Sequence, residues 1–121
     1  MMTVRWAIAA GALMAAAAVQ AQEQAPGPQP RVPTRVSAGT LSTLCEQDRV
    51  VCLGYILGAV DAIASSLVAA GRPQVFCIPA GVTNEQVSTA MQGYLRSHPE
   101  EGSSNAALVL LAGMMSAFPC P

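Results

Sequence analysis

The chain has no lysine, and among its 121 residues there is one histidine, His98, and one tryptophan, Trp6. Charged residues make up 11% and aromatics 4%. The six arginines, at positions 5, 31, 35, 49, 72 and 96, are scattered, so no basic stripe exists to neutralise phosphates. A nucleic acid is therefore not expected as a partner. A lone histidine far from any cysteine, with no Cys-x-x-Cys pair, supplies no zinc ligand set, and no metal is expected. The same scarcity empties the catalytic inventory. A Ser-His-Asp site would have to use His98, which Pro99 follows at a helix end with Glu100 and Glu101 beside it. No glycine-rich phosphate loop is present. No catalytic residue, no cofactor and no enzymatic activity are expected.

What the chain has in quantity is apolar residues, 52% of the total. The first of them form a signal. Arg5 is a positive n-region, residues 6–19 are apolar, and Val19-Gln20-Ala21 is a small-residue cleavage site. Residues 1–21 therefore read as a secretory signal peptide cut after Ala21, which places the mature chain in the periplasm. The stretch is short for a bilayer span, and no cysteine follows the cut to carry a lipid. Without Arg5 the mature chain has five arginines against seven acids, a net of −2. Residues 22–37 hold Pro26, Pro28, Pro30 and Pro33 among scattered polar residues and read as a disordered linker. The remainder, 38–121, is one small domain.

Four helices are predicted in that domain. The first follows Ser37 and runs to about Gln47, with Leu41, Leu44 and Cys45 on one face. Asp48 caps the second, a long apolar run ended by Gly71-Arg72-Pro73. Its Gly54, Gly58, Ala62 and Ser66 stack at i, i+4, i+8 and i+12 into a ridge of small residues, expected to admit a close neighbour. This helix is expected to be the buried centre, with Gly54, Tyr55, Gly58 and Asp61, together with Tyr94 from the third helix, in the structural core. Asp61, the only charge of the run, should then find a hydrogen-bond partner, Tyr94 being one possibility. Its depth in the run also argues against insertion of the helix in a membrane. The third helix has a capping box, Thr83 with Gln86, a hydrophobic staple of Val82 and Val87, and a stripe of Val87, Ala90, Met91, Tyr94 and Leu95. Pro99 ends it at His98. The fourth starts near Ser103 or Ser104 and stops before Pro119. The expected fold is all-α, a small four-helix, up-down, disulfide-stabilised domain, with no strand unless a short one lies around Phe76.

An even number of cysteines in an exported chain of this size points to disulfides among Cys45, Cys52, Cys77 and Cys120. If helices two, three and four alternate in direction, the start of the third and the end of the fourth lie at one end, which would bring Cys77 to Cys120 and leave Cys45 for Cys52. Cys52–Cys77 with Cys45–Cys120 is the alternative.

An ordered string of motifs runs through the domain. It comprises Leu44-Cys45, Cys52-x-Gly54-Tyr55-Ile56-x-Gly58-x-x-Asp61-Ala62, and Phe76-Cys77-Ile78-Pro79-x-Gly81-Val82-Thr83-x-x-Gln86. Tyr94-Leu95-x-x-His98-Pro99-Glu100 and Phe118-Pro119-Cys120 complete it. In these the chain resembles the Rap/Tai family, the type VI secretion amidase immunity proteins. The resemblance implies a periplasmic helical protein without catalytic residues, often a homodimer, that binds a secreted peptidoglycan amidase and blocks its cleft. After Pro99 the chain reads Glu100-Glu101-Gly102-Ser103-Ser104, without the basic residue and histidine of the family pattern. The polar loop at 97–104 is the first candidate for the contact, through Arg96, His98, Glu100 and Glu101. The alternatives are a small periplasmic acid-stress chaperone and a cell-envelope protein of the same fold without a toxin partner.

Overall fold

A computed structural model of the chain describes residues 35–121; the expected signal peptide and most of the proline-rich linker lie outside the described residues. Four α-helices follow in order: α1 (Ala38–Gln47), α2 (Arg49–Ala69), α3 (Asn84–Ser97) and α4 (Ala106–Ala117). A single 3-10 turn, Pro99–Glu101, lies between α3 and α4.

Each helix begins at a side-chain cap, which is where local chemistry fixes the boundaries. The Ser37 hydroxyl accepts from the amide of Thr40, and the Asp48 carboxylate accepts from those of Val50 and Val51. Thr83 and Gln86 form the reciprocal capping box. Each such cap contributes about 1 kcal/mol. The fourth helix starts later than the sequence suggests. The Ser104 hydroxyl donates to Glu101 instead of capping, and the Asn105 side chain accepts from the amides of Ala107 and Leu108. Among the described residues the only β pairing is an isolated bridge of Ser37 with Asn105. The stretch around Phe76 is irregular, with the Phe76 ring buried.

The helices enclose one core, in which Leu41, Cys52, Ile56, Met91, Leu110 and Met114 are fully buried. Every pair of the four helices is in contact. The amides of Ala38 and Gly39, at the start of α1, donate to Ser104 and Gly102, just before α4. At the opposite end, Arg49 in the first turn of α2 pairs with Glu85 in the first turn of α3 at 2.9 Å. α2 and α3 thus start at the same end and run in the same direction, so the expected up-down alternation fails at this pair, and the connector of residues 70–83 travels back along the bundle between them. α3 and α4 are antiparallel neighbours. That arrangement lays the connector against the chain end: Cys77 N–H donates to the Phe118 carbonyl, and Cys77 is bridged to Cys120. Cys45 is bridged to Cys52 across the α1–α2 turn.

The structure corrects the expected packing of α2. Its inward face is Cys52, Ile56 and Val60, at i, i+4 and i+8. Gly54, Gly58, Ala62 and Ser66 all lie on the exposed side, as does Asp61. A Cβ built on Gly54 or Gly58 meets nothing within 4 Å. The ridge therefore admits no neighbour, and Gly54, Gly58 and Asp61 are not core residues. Asp61 reaches water and needs no buried hydrogen-bond network. Tyr55 and Tyr94 are half-buried and do pack against the core. Partial burial raises the Tyr55 hydroxyl above its ordinary pKa. By length and composition α2 could cross a membrane, with a mean hydropathy of 1.9, and only 17% of that window is buried. Val50 is 79% and Val68 68% exposed.

Open space beside both glycines has a measurable consequence. Gly54→Ala and Gly58→Ala should each stabilise the domain by about 1 kcal/mol, because helix propensity improves with no clash. Urea denaturation of the two variants checks this; destabilisation would mean that something covers this face.

Candidate functional site

The loop that joins α3 to α4 is set by a proline and a glycine contact. Pro99 denies His98 helical geometry, and His98 sits at φ −125°, ψ 60° as the C-cap of α3. The chain then turns tightly: Glu101 N–H donates to the His98 carbonyl, Gly102 N–H to Pro99 and Ser104 N–H to Glu101. Three further backbone bonds of 2.9 Å pin the turn to the start of the domain. They run from Gly39 N–H to the Gly102 carbonyl, from Ala38 N–H to Ser104, and from Ala106 N–H to Val36. A side chain at position 39 would place its Cβ 3.1 Å from the Gly102 oxygen, so this close approach favours glycine.

The side chains divide over two sides of the resulting ridge. Tyr94 and His98, one helical turn apart, stack with ring centroids 4.1 Å apart. His98 Nδ1 meets Glu100 Oε1 at 2.9 Å. The Glu100 carboxyl is held below its ordinary pKa, first by a hydrogen bond from its own backbone and then by His98. On the α1 side, Arg96, His98 and Pro99 line a groove of about 360 Å³ together with Ser42, Thr43 and Gly102. On the α4 side, Glu101 and Ser104 line a second groove with Tyr94 and residues of α4. Ser104 Oγ donates to Glu101 Oε2 at 2.6 Å.

The four residues singled out from the sequence thus share one exposed ridge without forming one cluster. His98 and Glu100 are paired to each other, Arg96 lies on one side and Glu101 on the other. Sequence reasoning missed Gly39, Ser104 and the role of Tyr94 as the platform for His98. The i, i+4 spacing of Tyr94 and His98 could have revealed the last; nothing local marks the approach of Gly39 to Gly102. Among the described residues no group of three or more His, Cys, Asp or Glu side chains comes together as a metal site would require. The arrangement offers contact surface with fixed charges and a rigid backbone.

Comparison with curated proteins and with solved structures gives no match. Residues 37–120, which span all four helices, both disulfides and the pinned loop, match the family described as Rap1a immunity proteins. The match covers more than half of the chain, and the protein belongs to the Rap1a immunity protein family.

Proposed function

We propose that this protein is a periplasmic immunity protein of type VI secretion, which binds a peptidoglycan amidase effector and occludes its active-site cleft with the loop at 97–104. Membership of the family supports an immunity role. The observation that carries the mechanism is the pinned loop: it is polar and largely exposed, yet two backbone bonds fix it to the first turn of α1, and a third joins Ala106, just after it, to Val36. A protrusion ordered before contact loses little conformational freedom on binding, which is what tight occlusion of a cleft requires. Occlusion asks for no chemistry of the inhibitor, and none is assigned to this chain. The two disulfides suit an oxidising compartment and support action in the periplasm. A homodimer, implied by the resemblance of the sequence, belongs to the same proposal.

Replacing Arg96, His98, Glu100 and Glu101 together with alanine should weaken binding to the cognate amidase by at least about a hundredfold, a loss of about 3 kcal/mol. Calorimetry on the purified pair measures it, and an amidase assay should show inhibition lost in parallel. Unchanged affinity would move the interface to residues 72–74 or to a helix face.

A further inference from the structure

The groove on the α4 side of the loop is lined by Tyr94, Glu101, Ser104, Leu108, Val109 and Ala112 and measures about 240 Å³. It is mostly apolar along α4: Val109 is buried beneath it, while Leu108 is 52% exposed and Ala112 is exposed above. At the loop end stands one carboxylate. Glu101 has its Oε2 fixed by the Ser104 hydroxyl at 2.6 Å. It makes no ion pair among the described residues, whereas its neighbour Glu100 is hydrogen-bonded to His98. The charge of Glu101 is thus oriented and uncompensated at the mouth of an apolar trough.

We infer that this groove receives one lysine or arginine side chain of the effector, with its methylene stem along Leu108 and Ala112 and its cationic head on Glu101. The inference rests on the immunity reading above and assigns the partner's chemistry at the same loop. A long basic side chain is the type that matches both halves of the site, because its stem is apolar and its head pairs with a carboxylate. An aliphatic side chain would cover the trough and leave Glu101 desolvated without a partner, and an acidic one would be repelled. The Tyr94 ring, which also lines the groove, adds an aromatic face beside the cation. Because Ser104 already orients the carboxylate, little ordering remains to be done on contact.

Calorimetric titration of the full chain with the cognate amidase tests the assignment. Glu101→Gln should weaken binding by about tenfold or more and flatten its salt dependence. Leu108→Ser should weaken it by a similar factor with the salt dependence kept. Leu108 is exposed, so this variant keeps the test open should Glu101→Gln disturb the turn. Glu101→Lys should abolish binding, and an effector variant with its groove lysine or arginine changed to glutamate should restore it. Wild-type affinity in both Glu101→Gln and Leu108→Ser, with weakened binding in Arg96→Ala, overturns the groove and leaves the loop reading standing. Wild-type affinity in all three overturns both.

Discussion

Replacing Cys77 and Cys120 together with serine is expected to cost about 4 kcal/mol of stability. The bridge closes a sequence separation of 43 residues, and the chain-entropy relation gives about that value for a loop of this length. The Cys45–Cys52 bridge, with a separation of 7, should contribute about 2 kcal/mol by the same relation. A domain of this size has a total stability of roughly 4–13 kcal/mol, so the longer bridge supplies between about a third and all of it. The structure shows where the loss would fall. Residues 70–83 contain no helix and are held mainly by the buried Phe76 ring, the bond from Cys77 N–H to the Phe118 carbonyl and the disulfide itself. Urea denaturation of the double variant against wild type, and of each under reductant, measures the effect. A loss below about 1 kcal/mol would show that Phe76 docks the connector unaided.

The second large effect is expected at the contact of α3 with α4. Met91 is fully buried, and its sulfur and the Tyr94 ring both close on the bare Cα of Gly113. A Cβ there would lie 3.0 Å from each. Met91→Ala empties this contact and should cost about 3 kcal/mol, the removed transfer energy plus the cavity. For a domain of this size that lowers the melting temperature by roughly 12–24 °C. Met91→Leu, which keeps the volume, should cost less than about 1.5 kcal/mol. Thermal melts of both variants decide it; a shift under about 4 °C for Met91→Ala would mean that the helices collapse into the void.

These positions also show what could be read in advance. Helix starts are local events, so Asp48 and Thr83 marked theirs correctly. α3 carries polar residues opposite its stripe, and the predicted Val87, Met91 and Leu95 are indeed buried. α2 is apolar on all sides, so its sequence holds no direction. The ridge of Gly54 and Gly58 was an argument from shape, and it selected the wrong face. The better guide was Asp61, the one charge, which lies on the same exposed side as both glycines. A carboxylate marks the face that keeps its water more dependably than a glycine marks a contact. At the loop, the polarity of Glu100 and Glu101 was legible. The grooves beside it were not, because they form only where α1 and α4 close on residues far from them in sequence.

The bonds that join residues 36–39 to 102–106 have a consequence in time as well as in space. They span most of the domain's sequence, and contacts of such separation carry the greatest loop-closure entropy, so they are disfavoured until the intervening chain has condensed. The turn's own bonds are local, but the loop is pinned only when the first helix has met the start of the last. A nascent or clipped chain in which α1 has not met residues 102–106 therefore lacks the pinned loop, and the pinning marks the completion of folding.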